Sequence, residues 1–189
     1  MPVNIALLTV TDTRTLETDK SGNILVEKIN QAKHNLVERK ICKDNKEDIK
    51  IILKEWTHKK DLDVIITTGG TGLTGRDITP EALNEIADKH IPGFGEIFRY
   101  YSLETVGTSS IQSRACAILS NGKYIFALPG SSGGVTDAWD KILVHQLDIN
   151  HKPCNFVELF PRLKEKYLFS CCNKNTNRSN YKTTYIDKI

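Results

Sequence analysis

One stretch, residues 64–82, constrains the fold of this 189-residue chain more than any other. It reads VIITTGGTGLTGRDITPEA and begins with three apolar residues in succession. A short continuous apolar run is typical of a strand covered on both faces, as in the parallel sheets of α/β proteins. A glycine-rich loop follows, and Thr79-Pro80-Glu81 predicts a helix with Thr79 as its N-cap. The stretch therefore predicts a strand, a loop and a helix in immediate succession.

Strand and helix signals alternate along the rest of the chain, which predicts an α/β fold. Ser21 and Asn45 each predict a helix N-cap, and Asn121-Gly122 predicts a tight hairpin with one antiparallel strand. The predicted strands cover residues 3–10, 36–41, 63–67, 114–119 and 123–128. The predicted helices cover residues 22–34, a segment after Asn45, a segment after Thr79, residues 92–104 and a last helix ending near residue 145.

Composition excludes several classes of protein. The net charge of +3 comes from residues 170–189, where four basic residues face one aspartate, so the remaining chain is neutral. A neutral body argues against a nucleic-acid-binding surface. No run of 18 apolar residues predicts a membrane span, and no signal peptide is evident, so we expect a cytoplasmic protein. The five cysteines lack C-x-x-C spacing and are expected to be reduced thiols, and the histidines lack zinc-ligand spacing.

The chain is expected to form one domain over residues 1–168, followed by a polar, asparagine-rich segment over residues 169–189. That segment has no hydrophobic periodicity, which predicts a flexible tail. A partner-binding arm is the alternative interpretation of the same composition.

The glycine-rich loop is the first candidate ligand site. Gly69, Gly70, Thr71 and Gly72 allow backbone N–H groups to approach an anion such as phosphate. Asp77 would repel phosphate unless a cation lay between them, so it is a candidate Mg²⁺ ligand, and Arg76 could neutralise phosphate directly. The spacing G-x-G-x-x-G also occurs in dinucleotide-binding folds, but the acidic residue expected after the next strand is missing. A tight loop that needs glycine only for positive φ is the structural alternative.

Three further strand ends carry polar or glycine-rich segments. The stretch YIFALPGSSGG places Pro129, Gly130 and Ser131 between a strand and a helix, where Ser131 could bind phosphate or simply cap the helix. Thr11 and Asp12 follow the first predicted strand, and Asp44 follows the second, although aspartates are also common in turns. Ligands of open α/β sheets bind outside the carboxyl ends of the strands. Four such segments at one edge predict a phosphorylated ligand with a metal ion.

A polar segment, GTSSIQSRA at residues 107–115, precedes the fifth strand. Ser109 and Ser113 are candidates to line a pocket, while Arg114 could line it or pair with a carboxylate at a subunit contact. Phe94, between two glycines, could cover a flat ring, but packing in the core is the favoured interpretation.

Taken together, these motifs resemble the MoaB/MogA family of molybdenum cofactor biosynthesis proteins. The resemblance rests on TGGTG followed by RD and TPEA, then PGFGE, GTS with QSRA, and LPGS before a helix, and it covers residues 3–163. It implies a three-layer α/β/α fold with a mostly parallel central sheet and a molybdopterin-binding surface. Thr11-Asp12-Thr13 departs mildly from the family, which usually has a Ser-Asp-like motif there.

The resemblance also implies a reaction in which ATP and molybdopterin, with Mg²⁺, give adenylylated molybdopterin and pyrophosphate. The acidic residues of active family members fall on Asp44 and Asp77, and the loops at residues 69–72 and 129–131 would hold pterin or nucleotide phosphates. Homo-oligomers, either trimers or hexamers, are implied as well. Two alternatives remain: a non-catalytic molybdopterin-binding or assembly protein of the same pathway, and more remotely a dinucleotide-dependent oxidoreductase.

Overall fold

The structure is a computed structural model that describes residues 1–165. The tail predicted for residues 169–189 lies outside the described residues, and so does the end of the predicted domain. Six strands and six α-helices follow one another within the described residues. The strands are β1 (Asn4–Val10), β2 (Asn35–Cys42), β3 (Val64–Thr68), β4 (Lys89–His90), β5 (Cys116–Ser120) and β6 (Lys123–Leu128). The helices are α1 (Lys20–Gln31), α2 (Lys46–Thr57), α3 (Thr79–Asn84), α4 (Pro92–Val106), α5 (Ser132–Ala138) and α6 (Val144–Gln146).

The strands form one mixed sheet in the order β2-β1-β3-β6-β5-β4. Strand β5 runs antiparallel to both of its neighbours, while β1, β2, β3 and β6 pair in parallel. Asn121 and Gly122 adopt φ values of 47° and 70° between β5 and β6, as a two-residue hairpin turn requires. The mostly parallel sheet predicted from the sequence is therefore confirmed.

Helices cover both faces of this sheet. Successive side chains of a strand point to opposite faces, and the buried strand residues accordingly divide between two apolar clusters. On one face, Ile5, Leu7 and Ile66 pack against α1, α4 and the helical run from α5 to α6. On the other, Leu8 and Ile65 pack against α2 and α3. The three-layer α/β/α architecture is confirmed. Within the described residues, no helix is both long enough and apolar enough to cross a membrane.

The register of the parallel strands brings their carboxyl ends to one level. Val10 pairs with Cys42, Thr9 pairs with Thr68, and Thr68 pairs with Leu128. The chain segments that follow β1, β2, β3 and β6 therefore start side by side along one edge of the sheet. This juxtaposition is the one that the sequence predicts, and it creates the candidate site.

Local predictions were wrong at two helix starts. Asp19, not Ser21, caps α1, because its buried carboxylate accepts from Gly22 N–H and also bonds Thr9 of β1 and Arg39 of β2. Thr79 is the first residue of α3 rather than its N-cap, a position that Ile78 takes. By contrast, Asn45 caps α2 as predicted, accepting from two backbone N–H groups.

Four other features were not predicted, and the first is the two-residue strand β4. Residues Gly107–Gln112, for which no helix was predicted, form a 3₁₀ helix directly after α4. A second 3₁₀ helix spans Val157–Arg162, and the predicted last helix is divided by a π-helical segment at Trp139–Leu143. The 3₁₀ helix after α4 matters most for function because it borders the largest cavity of the site.

Candidate functional site

The glycine loop after β3 is held in place by its close approach to β1. Gly69 has φ of 101°, and a Cβ atom there would lie 2.2 Å from the carbonyl oxygen of Val10. Gly70 has φ of 64°, and its Cβ would lie 2.4 Å from Thr79 Oγ1. Side chains are excluded at both positions, since the space is filled and positive φ disfavours them. The structural alternative therefore holds for these two glycines, but it does not exclude ligand binding.

Thr79 explains how the loop is fixed on its other side. Its hydroxyl donates to Gly69 O at 2.9 Å, and its backbone N–H donates to Gly70 O at 3.0 Å. These bonds turn the two carbonyl groups toward α3. Within residues 1–165, no acceptor is recorded for the backbone N–H groups of Gly70 and Thr71. Two N–H donors are thus available to an anion at this point.

The loop after β6 lies directly against the glycine loop. Gly69 N–H donates to Leu128 O at 3.0 Å, and Thr68 Oγ1 donates to Pro129 O at 2.8 Å. A Cβ atom at Gly130 would lie 3.3 Å from Gly69 Cα. The loops at residues 69–72 and 129–131, on which the phosphate prediction depends, are therefore neighbours.

Ser131 is the N-cap of α5, with its Oγ accepting from Gly134 N–H at 3.1 Å. The plain capping interpretation is therefore correct for Ser131. It leaves the hydroxyl proton available to a ligand, since a hydroxyl donates one bond and accepts up to two. In the described part of the chain, the N–H groups of residues 130–133 also have no recorded acceptor.

A large cavity of about 860 Å³ lies between these two loops, α4 and the 3₁₀ helix that follows it. Its size is in the range of small-molecule sites. Its walls include all of the predicted site residues except Thr11, Asp12 and Asp44, namely Gly69, Gly70, Thr71, Gly72, Asp77, Ser109, Ser113, Pro129, Gly130 and Ser131. Sequence reasoning missed Ser102, Thr105 and Asp137, which line the same cavity from α4 and α5. Polar residues at such spacing occur on many helices, so no signal in the sequence distinguishes these three from ordinary polar helix residues.

A smaller cavity of about 290 Å³ lies on the β1 side of the same loops. Thr11, Asp44 and Asp77 line it, together with two basic residues, Arg14 and Arg76. Four residues line both cavities, which adjoin one another there: Gly69, Gly70, Asp77 and Gly130. We call these four residues the shared wall.

Three carboxylates lie close enough to one another in this region to interact. Burial, followed by the charges of Asp12 and Asp77, raises the pKa of Asp44 above its ordinary value. Asp12 lies at the rim, where its Oδ1 accepts from Asp44 N–H at 3.3 Å and its Oδ2 faces Arg76 at 3.5 Å. It lines neither the large nor the small cavity. A cation placed between Asp44 and Asp77 would relieve their mutual repulsion.

Asp77 is held by its own loop. Its Oδ2 accepts from Thr74 N–H at 2.8 Å and from Thr74 Oγ1 at 2.6 Å. Burial alone would raise the pKa of Asp77, but the hydrogen bonds from Thr74 and from the backbone of Gly72 hold it below its ordinary value. Asp77 is therefore ionised at neutral pH and could contribute a carboxylate oxygen to a metal ion.

The donor set fits Mg²⁺, which is usually bound by one or two carboxylates, several waters and ligand phosphates. Among residues 1–165, no three His, Cys, Asp or Glu side chains are grouped so as to hold a metal ion. Asp44 and Asp77 would thus bind Mg²⁺ only together with oxygens from a ligand. The arrangement of these described residues therefore differs from a metal centre whose ligands all come from protein side chains.

Arg114 joins the far end of the glycine loop to the start of β5. Its Nε donates to Gly72 O at 2.6 Å, its Nη2 donates to Asp77 O at 2.5 Å, and its Nη1 pairs with Glu81. Arg114 therefore pairs with a carboxylate of its own chain. Its contacts position the glycine loop. The sequence suggested two other roles, namely lining a pocket or pairing with a carboxylate at a subunit contact.

Two further sequence interpretations are settled by packing. Phe94 is buried in the core, as favoured, and its ring packs at a tilt against that of Phe126 with the ring centroids 5.1 Å apart. A Cβ at Gly75, the third glycine of G-x-G-x-x-G, would meet nothing within 4 Å. In dinucleotide-binding folds that glycine permits close packing of helix and strand. Gly75 has no such task here.

Comparison with known proteins adds to this geometry. Residues 6–149 match the family described as "Probable molybdopterin binding domain". The chain is 43% identical over 165 residues to molybdenum cofactor biosynthesis protein B of Escherichia coli (strain K12). That alignment covers 87% of this chain and 95% of the Escherichia coli protein.

Solved structures give the same result. A crystal structure of molybdenum cofactor biosynthesis protein B superposes with a TM-score of 0.79 at 40% identity, covering 87% of this chain and 98% of the other. The tungsten cofactor synthesizing protein MoaB from Pyrococcus furiosus superposes with a TM-score of 0.68 at 35% identity. Here the coverage is 75% of this chain and 91% of the other.

Proposed function

This chain belongs to the family of probable molybdopterin binding domains, and from that premise we propose that it adenylylates molybdopterin with ATP and Mg²⁺ during molybdenum cofactor biosynthesis. The observation that carries the proposal is the shared wall. One cavity large enough for a pterin and one smaller acidic cavity meet at Gly69, Gly70, Asp77 and Gly130. Two ligands bound in the two cavities would meet where these four residues border both of them.

The reaction brings two anions together. The terminal phosphate oxygen of molybdopterin forms a bond to the α-phosphorus of ATP, the bond from that phosphorus to the β-phosphate oxygen breaks, and pyrophosphate leaves. Catalysis of such a transfer consists mainly of positioning and charge stabilisation. The protein therefore needs hydrogen-bond donors and a cation at the wall rather than a covalent nucleophile.

The free backbone N–H groups of Gly70 and Thr71 supply donors on one side of the wall. Those of residues 130–133, with the hydroxyl of Ser131, supply donors on the other. Mg²⁺ would neutralise negative charge on the phosphates when bound. Asp44 and Asp77 would hold it, since both line the smaller cavity. The larger cavity, bordered by Ser109 and Ser113, would take the pterin.

A second candidate function is supported by one observation. Asp77 Oδ2 is occupied by Thr74, so Asp77 also acts as a structural link within its loop. A protein in which this was the only task of Asp77 would bind molybdopterin without adenylylating it. The non-catalytic binding or assembly protein of the same pathway is therefore the alternative.

One assay separates the two functions. The purified protein is incubated with molybdopterin, Mg²⁺ and ATP labelled at the α-phosphate, and labelled pterin and pyrophosphate are measured. We expect product from the wild type, loss of at least about a hundredfold for Asp77→Asn, and unchanged product for Asp61→Asn. Asp61 is a matched control because it is exposed and precedes β3, at the opposite end of that strand. Molybdopterin binding without any product would favour the non-catalytic alternative.

We also propose that the chain forms a homo-oligomer, as the family resemblance implies. Helix α4 and the 3₁₀ helix after it carry five of the large apolar side chains that are exposed in the described chain: Ile97, Tyr100, Leu103, Val106 and Ile111. Concentrated apolar exposure is typical of interaction surfaces. Sedimentation equilibrium should give three or six times the chain mass of 21.3 kDa. A species of single-chain mass at micromolar concentration would contradict this proposal.

A further inference from the structure

Arg14 is the basic residue of the smaller cavity that the structure holds most firmly. It follows the Thr11-Asp12-Thr13 segment, and sequence reasoning did not select it. Its Nη1 donates to Ser21 Oγ at 3.0 Å and to Gly130 O at 3.2 Å. The guanidinium thus bridges the start of α1 and the shared wall. Because both bonds fix its position, the charged guanidinium is held at a defined place beside the smaller cavity, which Arg14 lines.

The positive charge of Arg14 is not neutralised by the nearest carboxylate, which is that of Asp19. Asp19 is fully buried, and its Oδ2 pairs with Arg39 at 3.0 Å, whereas Arg14 lies 3.8 Å from its Oδ1. Asp19 also accepts from Thr9, Ser21 and the backbone of Gly22. Its negative charge is therefore balanced without Arg14. Within residues 1–165, both recorded hydrogen bonds of Arg14 come from Nη1, which leaves the donors on Nε and Nη2 for a ligand.

Arg76 is the other basic residue of the smaller cavity, and it is less well placed. Its side chain is 78% exposed and faces Asp12 at 3.5 Å, compared with 38% exposure for Arg14. An exposed side chain loses more conformational freedom when it binds a ligand, and its charge is better screened by water. Arg14 is therefore the stronger candidate for a fixed anion contact.

We propose that Arg14 binds the two outer phosphates of the nucleotide and retains them as they become the pyrophosphate leaving group. This assignment rests on the proposed adenylyl transfer and extends it. A guanidinium presents paired N–H donors that match two phosphate oxygens, and such charge-assisted bonds are among the strongest in proteins. Asp44 and Asp77 lie in the same cavity, so Mg²⁺ and Arg14 would contact the phosphate chain together.

The test measures binding of Mg²⁺-pyrophosphate and of molybdopterin by isothermal titration calorimetry. We expect Arg14→Gln to raise the Kd of pyrophosphate about tenfold to a hundredfold and to leave the Kd of molybdopterin within about twofold. Arg14→Lys should recover part of the pyrophosphate affinity, since it keeps the charge but not the paired donors. Lys20→Gln is the matched control, because it removes the same charge from an exposed residue at the start of α1 that lines neither cavity.

The outcomes separate this assignment from the proposed function. If the wild type binds pyrophosphate and Arg14→Gln binds it equally well, the Arg14 assignment is wrong and adenylyl transfer is untouched. If Arg14→Gln raised the Kd of pyrophosphate and the Kd of molybdopterin equally, Arg14 would only fix the loop at Gly130. If Arg76→Gln raised the Kd of pyrophosphate more than Arg14→Gln did, the phosphate contact would belong to Arg76. Either result overturns the assignment. A wild type that binds neither ATP nor pyrophosphate with Mg²⁺ overturns both proposals.

Discussion

Replacing Gly69 by alanine tests the packing of the shared wall. The new Cβ would lie 2.2 Å from Val10 O, a backbone atom that cannot rotate away, and the residue would keep φ near 101°. Positive φ for a residue other than glycine costs about 1–3 kcal/mol, and overpacking costs about 1–3 kcal/mol more. The expected loss of about 2–6 kcal/mol corresponds to a fall in Tm of about 5–20 °C for a domain of this size.

Gly75→Ala is the matched control in the same loop. Its Cβ would meet nothing within 4 Å, and its φ is not positive. Thermal unfolding followed by circular dichroism should therefore give a Tm within about 2 °C of the wild type, or slightly above it, since alanine reduces the entropy of the unfolded chain. Calorimetry should show weaker binding of molybdopterin and of Mg²⁺-ATP for Gly69→Ala alone. Equal Tm values and equal affinities for the two variants would refute the reasoning.

Three other predictions follow from the same contacts. Asp44→Asn should abolish adenylyl transfer yet increase stability at pH 7 by less than about 1 kcal/mol, as measured by urea unfolding. The pKa of Asp44 is raised in the folded state, so its stabilising contribution is complete below the ordinary value of 3.8 and is lost as the pH rises through the folded value. The stability difference between wild type and Asp44→Asn should accordingly vanish near pH 3, and a difference independent of pH would be inconsistent with this explanation. Arg114→Gln should lower the free energy of unfolding by about 2–4 kcal/mol and weaken the binding of both molybdopterin and Mg²⁺-ATP, because the carbonyls of Gly72 and Asp77 lose their donors. An unchanged Tm would show that Arg114 does not hold the loop.

The central sheet was predictable because its determinants are local. The apolar run before Gly69 fixes a buried strand, Asn121-Gly122 fixes the hairpin, and Asn45 caps α2 with its own side chain. The meeting of four strand ends follows from parallel pairing, since parallel neighbours align their carboxyl ends. Each of these inferences needs only a few neighbouring residues and one general rule.

The predictions that were wrong depend on distant contacts. Asp19 and Ser21 are both good capping residues, and Asp19 takes the position because β1 and β2 supply partners for its buried carboxylate. Thr79 resembles an N-cap in sequence, but its hydroxyl bonds the carbonyl of Gly69, ten residues earlier. Strand β4 was not predicted at all, because it has only two residues and exists through its pairing with β5.

The binding surfaces show the same division. The glycine and serine residues of the two loops were identified from composition and position, whereas Arg14, Thr105 and Asp137 were not. Thr105 and Asp137 lie on α4 and α5 and bond each other at 2.9 Å across the cavity wall. Helix packing, which short motifs do not record, brings them together. The roles of the predicted site residues remain predictions until ligands are measured.

The most direct test of the account is whether the two cavities accept their ligands at the same time. The protein is titrated with molybdopterin in the presence of saturating Mg²⁺ and α,β-methylene-ATP, whose α–β linkage is not cleaved, and the order of addition is then reversed. One molybdopterin and one nucleotide should bind per chain, each while the other is present. Competition of the two ligands for a single site would contradict it.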